Sequence, residues 1–269
     1  MTRSDRELDE RLQIAVKLAE QAGQGTLKHF QQPRLAVERK SDNSPVTIAD
    51  QEAEKFLRAE LLRAFPDDSF IGEEYGEIEG SSGYCWVADP IDGTKSFISG
   101  VPLYSTLLGL LFEGESLAGV IVLPALDECV YAARGRGAWF RKGTAVVKAQ
   151  VSHRTSLRDA IFVTSQVDSF SRRNAAGAFQ ALQERAYVTR TWGDGYGYAL
   201  IATGRADVMV DPAMNLWDAA AILPVIEEAG GRFTDWQGNR SIRSGEGLAT
   251  TPSLLDEVLQ ITRSYPKPS

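Results

Sequence analysis

Cysteine and histidine are almost missing from this chain, each occurring twice in 269 residues. A chain of that length can bury a large core without staples, so Cys85 and Cys129 are expected to be free thiols. His29 and His153 sit in no spaced ligand or triad pattern, which leaves zinc hydrolases and Ser-His-Asp machinery nothing to build on. Both read as surface or helix-end residues. Long apolar runs are missing too: the stretches 106–112 and 117–126 fall well short of the roughly 20 residues a membrane helix needs. Positive charge is in deficit, with 29 basic against 36 acidic residues and a net charge of −7. Without a basic run, the electrostatic footprint of a nucleic-acid binder is absent. The opening Met1-Thr-Arg-Ser-Asp-Arg-Glu7 is too charged for a signal peptide, so the expectation is a cytoplasmic protein with no nucleic-acid or membrane partner.

What the chain does have is alternating helical and strand periodicity, with no repeats and no flexible linker. Ser4-Asp-Arg-Glu7 reads as a capping box opening a helix with Leu8, Leu12, Ala15, Ala19 and Ala22 on one face, ending near Phe30. A second helix is expected after Thr47, burying Ala53, Phe56, Leu57 and Leu61. Short strands follow at 70–72 and 84–88, and the runs at 106–112, 117–123, 128–133 and 138–141 are spaced as an antiparallel meander. Mixed α/β character resumes after the polar stretch 142–155, with helices at 169–185, 196–203 and 217–229, the last with Pro224 inside it, and one more after Thr251-Pro252. The junction divides the chain into 1–145, helices plus a large sheet, and 146–269, an α/β portion completing the same unit.

Acidic residues stand where hard-cation chemistry wants them. In Asp89-Pro-Ile-Asp92, a turn at a strand end can aim two carboxylates and the Ile91 carbonyl at one point. Oxygen-only ligands suit Mg²⁺ or Mn²⁺ rather than zinc, and Mg²⁺ shares phosphate oxygens with protein ligands. Gly93 and Thr94 offer backbone N–H groups to a phosphate where a helical turn can begin. Glu73-Glu74 and Asp218 are further acids. Each also has a plain structural reading: Thr47 with Asp50 and Asn215 with Asp218 as helix caps, Asp-Gly as a tight turn, Glu73-Glu74 as a solvated pair. Together they point to phosphoryl transfer, in which cations neutralise the ester and activate water.

Four ordered blocks, Ser44-Pro-Val-Thr-Ile-Ala-Asp50, Ile71-Gly-Glu-Glu74, Trp86-Val-Ala-Asp-Pro-Ile-Asp-Gly-Thr94 and Asn215-Leu-Trp-Asp-Ala-Ala220, make the chain resemble the inositol monophosphatase family of Mg²⁺-dependent, lithium-sensitive phosphatases. The resemblance implies a layered αβαβα sandwich and commonly a homodimer. It implies that Glu73, Asp89 and the Ile91 carbonyl bind one metal and that Asp89, Asp92 and Asp218 bind a second, with a third, weaker ion near Glu73. Thr94, hydrogen-bonded to Asp50, is expected to activate water with Glu73 alongside, while Asp92, Gly93 and Thr94 face the phosphate. The segments 92–104, 192–198 and 204–212 are similar to the histidinol-phosphate phosphatase branch. Gly195 departs from it, since Cys is expected there. Asp194, Asp211 and Arg190 are the candidate substrate contacts, two acids able to attract an ammonium and an imidazolium or to accept inositol hydroxyls. Each also has a structural reading, Asp194 as a helix N-cap, Asp211 as a strand end before Pro212 and Arg190 as an ion pair within the fold.

Overall fold

The computed structural model describes residues 3–33, 35–40 and 44–267. Helices α1 (Arg3–Thr26) and α2 (Ile48–Ala64) flank a hairpin of β1 (Val37–Arg39) and β2 (Pro45–Thr47). Ala15, Leu18, Ala19 and Ala22 of α1 recur at helical spacing and share a core with Ala53, Leu57 and Leu61 of α2. The capping box expected at Ser4 lies outside the described side chains.

A sheet of eight strands receives this helix pair. It comprises β3 (Ser69–Gly72), β4 (Gly76–Ile78) and β5 (Tyr84–Asp92), then, after the short helix α3 (Thr94–Ile98), β6 (Ser105–Phe112), β7 (Glu115–Leu123), β8 (Glu128–Ala133), β9 (Gly137–Lys142) and β10 (Ala145–Ala149). Its order is β10-β9-β8-β7-β6-β5-β3-β4, antiparallel except where β3 meets β5. The expected meander is present. The polar junction at 142–155, however, contains β10, whose first four residues are exposed. An edge strand held by backbone pairing alone leaves no burial pattern to read, so the sheet continues to Ala149, past the expected 145/146 boundary.

A second sheet has the order β12-β11-β13-β15-β14, formed by β11 (Ile161–Val163), β12 (Val188–Arg190), β13 (Val208–Asp211), β14 (Arg232–Thr234) and β15 (Gly247–Thr250). Two helices, α4 (Val167–Arg172) and α5 (Ala176–Arg185), replace the single one expected over 169–185, because Asn174 takes a left-handed φ of 59° that breaks the run. Helices α6 (Asp194–Ala202) and α7 (Leu216–Glu228) share one apolar core with Val87, Leu107 and Ile121 of the first sheet and Val163, Met209 and Ala249 of the second. On the far side of the second sheet, α5 and α8 (Leu255–Thr262) bury Leu182, Val258 and Leu259 against Phe162, Val208 and Leu248. The layers therefore run αβαβα. Both cysteines are free thiols, and no helix among the described residues is long and apolar enough to cross a membrane.

The seating of α7 decides where the site forms. Gly109 and Gly119 are cross-strand partners in β6 and β7, and a Cβ at Gly119 would lie 1.9 Å from the Ala221 carbonyl oxygen. These two glycines form a trough that lets the helix backbone rest on the sheet. Pro224, inside α7, cannot donate to the carbonyl four residues back, that of Ala220. Ser116 of the sheet replaces the missing donor, its hydroxyl lying 2.6 Å from that oxygen.

Candidate active site

Side chains three apart on a regular strand face opposite sides of the sheet, which would separate Asp89 from Asp92. The register corrects this. Asp89 pairs with Leu107 and Asp92 with Ser105, so β5 spends three residues where β6 spends two. The extra residue is a bulge at Pro90, which has no N–H to lose. Its carbonyl accepts the Thr106 hydroxyl at 2.8 Å, and the Ile91 N–H donates to Asp89 Oδ1 at 3.0 Å. Both acids thereby reach the same side, and the start of α7 adds Asp218. Ligand oxygens of Asp89, Asp92 and Asp218 all lie within 4.8 Å of one another.

Three carboxylates this close resist ionisation. Burial, then the charges of Glu73, Asp92 and Asp218, holds the Asp89 carboxyl well above the usual carboxylate range. Burial with Asp194 and Asp218 raises Asp92 likewise, against the pull of hydrogen bonds from Ser105 and Gly195. Asp218 is pushed up to about 7, chiefly by burial, although it accepts the Asn215 N–H at 2.7 Å. An all-oxygen cluster of this kind needs protons or a cation, and its donor set fits a hard divalent metal.

A second acidic group flanks the first. Lys40 donates to Glu73 at 2.6 Å and to Glu74 at 2.7 Å, and although burial works against its charge, the two carboxylates raise its pKa. Glu74 is pushed up to about 7, mainly by burial. Glu73 stands outside the three-carboxylate cluster, with its charge close enough to raise Asp89. Asp50 sits at the third position of α2 and accepts from Thr47 through both backbone and hydroxyl, at 2.8 and 2.6 Å. Burial brings it to about 6. The hydrogen bond expected between Thr94 and Asp50 is not made. Thr94 donates instead to the Ile91 carbonyl at 3.1 Å, while Asp50 caps its own helix, so each is satisfied within its own segment.

One residue of this region is not evident from sequence motifs. Glu54 is fully buried and accepts the N–H groups of Glu74 and Tyr75 at 2.7 and 2.9 Å, holding the loop that presents Glu73. Its signal is a charge set beside Ala53 and Leu57 on the buried face of α2.

Beside the metal-competent cluster opens a cavity of about 360 Å³. Asp92 and Asp218 line it together with Asp194, Asp211, Gly195 and Tyr198, and Lys95 and Arg172 add positive charge. Asp194, with φ 55°, is brought to about 6, first by burial and then by Asp211. Asp211 faces the cavity but is already committed: Oδ1 accepts from the Thr164 hydroxyl and the Ser165 N–H, and Oδ2 from the hydroxyls of Ser165 and Tyr198. With those four bonds its acceptor capacity is filled, so it offers charge rather than a free acceptor. Arg190 is not brought here. It lies on edge strand β12, donates to the Thr189 carbonyl at 2.8 Å, stands 5.9 Å from the Trp192 ring and faces a separate depression. His29 pairs with Glu52 at 2.9 Å, and neither histidine lines the cavity.

A sandwich of five layers that gathers carboxylates from a bulged strand and a helix start beside a polar cavity defines a phosphatase scaffold. The chain belongs to the inositol monophosphatase family, whose sequence model matches residues 7–267. It is 42% identical over 244 residues to a histidinol-phosphatase of Chlorobaculum parvum, covering 91% of this chain and 93% of that one. An inositol-1-monophosphatase of Rhizobium meliloti is 34% identical, with 93% and 96% covered. Among solved structures, the extragenic suppressor protein suhB of Bartonella henselae superposes with a TM-score of 0.87 at 28% identity, covering 94% of this chain and 98% of that one.

Proposed function

We propose that this protein is a Mg²⁺-dependent phosphate monoesterase that hydrolyses L-histidinol phosphate to L-histidinol and phosphate, a step of histidine biosynthesis in the cytoplasm. The observation that carries the reading is the convergence of Asp89, Asp92 and Asp218 within 4.8 Å at the edge of an acid-lined cavity. Asp89, Asp92 and Asp218 would hold one ion, and Asp89, Glu73 and the Ile91 carbonyl another, two or three ions in all. Mg²⁺ bound there supplies charge neutralisation at the phosphoryl oxygens and an activated water, and Mn²⁺ can substitute. Thr94, whose hydroxyl stands at the Ile91 carbonyl, would orient the attacking water, and Asp50 and Glu73, near enough for the charge of Glu73 to raise Asp50, would serve as proton acceptors. The amides of Gly93 and Thr94 hold the phosphate in line, and Lys95 adds a positive charge at the cavity. Asp194 and Asp211 set a negative field suited to an ammonium and an imidazolium. The similarity to a histidinol-phosphatase supports this choice.

The second reading keeps the chemistry and exchanges the substrate for inositol 1-phosphate or a related sugar phosphate, as the similarity to an inositol-1-monophosphatase allows. Phosphate release measured in parallel on both substrates, with Mg²⁺ and with added Li⁺, separates the two. Preference for histidinol phosphate and inhibition by Li⁺ are expected, and a strong preference for inositol 1-phosphate would overturn the first reading. Asp92→Asn should lower kcat by about two orders of magnitude or more while circular dichroism stays unchanged. A homodimer is expected in light scattering.

A further inference from the structure

Helix α6 begins after Gly193, a residue with no side chain to cap the first free amides. Side chains from elsewhere take that role. Ser165 Oγ accepts the Asp194 N–H at 2.8 Å, and Asp92 Oδ2 accepts the Gly195 N–H from 103 positions away in sequence. The same Oδ2 accepts the hydroxyl of Ser105 at 2.8 Å. Ser105 is fully buried and is the register partner of Asp92 across the bulge. Two donors fill the lone pairs of that oxygen, which leaves Oδ1 to serve a cation. Space enforces the arrangement: a Cβ at position 195 would lie 2.2 Å from Ser105 Oγ and 2.7 Å from Asp92 Oδ2.

From these contacts we infer that Ser105 and Gly195 are positioning residues that fix the Asp92 carboxylate, one oxygen anchoring the cavity helix α6 and the other committed to the metal. This rests on the reading of Asp92 as a metal ligand. Ser105 and Gly195 also act as a steric pair, because the glycine makes room for the serine hydroxyl.

The test is Mg²⁺ binding by isothermal calorimetry, with Mg²⁺ activation kinetics, on the full chain and five variants: Ser105→Ala, Ser105→Cys, Gly195→Ala, the Ser105→Ala/Gly195→Ala pair, and Asp92→Asn. Ser105→Ala should weaken Mg²⁺ binding about tenfold, the scale of a lost hydrogen bond to a charged group. Its kcat should recover at saturating Mg²⁺. Ser105→Cys, whose bulkier sulfur is only a weak donor, should weaken binding at least as much. Gly195→Ala should weaken binding further, and the pair should do better than the product of the singles, since deleting Oγ frees space for the new Cβ. Mg²⁺ affinity within twofold of the parent in Ser105→Ala, or strict additivity in the pair, would overturn the inference. Unchanged Mg²⁺ affinity in Asp92→Asn would instead remove the metal assignment beneath it. Should Gly195→Ala fail to fold, the two Ser105 variants still decide.

Discussion

A carboxylate at the third position of a helix can cap that helix or hold a cation, and Asp218 is placed for both. Its Oδ2 closes a capping box on Asn215, and a carboxylate oxygen of the same residue lies within 4.8 Å of those of Asp89 and Asp92. Asp50 repeats the pattern with Thr47 at the start of α2, close to Glu73. The capping and chemical readings of these residues do not compete, because a carboxylate has two oxygens. Glu54 uses both of its own on backbone amides, so Glu54→Gln would turn an amide NH₂ toward an N–H and leave that donor unsatisfied. A loss of about 1–3 kcal/mol in urea denaturation is expected, with a higher Mg²⁺ requirement for activity. The acids in Asp89-Pro-Ile-Asp92 and at Asp218 stood out in the sequence by residue type and spacing, and the fold brings their oxygens together. Glu54 was not, since a lone charge on a helix says nothing of the loop it holds until that loop folds against it. Arg190, open in the sequence between a structural role and a substrate contact, lies on edge strand β12 and faces a separate depression, which only the packed fold could show.

At the scale of the element, the site depends on one bulge and one trough. Without the extra residue at Pro90, Asp89 and Asp92 would face opposite sides of the first sheet. Without Gly109 and Gly119, α7 would stand off and carry Asp218 away. Gly119→Ala places a Cβ 1.9 Å from the Ala221 carbonyl oxygen, so both thermal stability and Mg²⁺ affinity should fall, measured by calorimetry on the same sample. Ser116→Ala orphans the Ala220 carbonyl that Pro224 cannot serve and should cost about 1–3 kcal/mol in urea denaturation. Helix existence and most strands could be read from periodicity. The break at Asn174 and the edge strand β10 could not, because a left-handed residue and an exposed strand leave no apolar period behind.

For the whole molecule, the acidic centre makes stability a function of pH and metal together. The Asp218 carboxyl is raised to about 7 in the folded chain, against about 4 when unfolded. A raised folded pKa contributes stability that is complete below the unfolded value and lost as pH climbs through the folded one. Metal-free protein should therefore lose thermal stability through this group between about pH 4 and pH 7, and Asp218→Asn should flatten that part of the slope. On the proposed function Mg²⁺ would bind the deprotonated cluster and so act in the opposite direction. Its stabilising shift in differential scanning calorimetry should be larger at pH 8 than at pH 5, and equal shifts at both values would contradict the site.

Sequence by itself determined the chemistry on offer: with two histidines and two cysteines, only oxygen ligands remained in quantity, and helical and strand periods set a mixed α/β chain, while the layered sandwich was what the family resemblance implied. Tertiary structure decided which of those oxygens meet. A period of two or 3.6 residues fixes the face a side chain takes on its own element. The approach of α7 to β5, the capping of α6 by Ser165 and Asp92 and the exclusion of Arg190 arise from contacts between elements distant in sequence, where backbone clearance and free lone pairs select the arrangement.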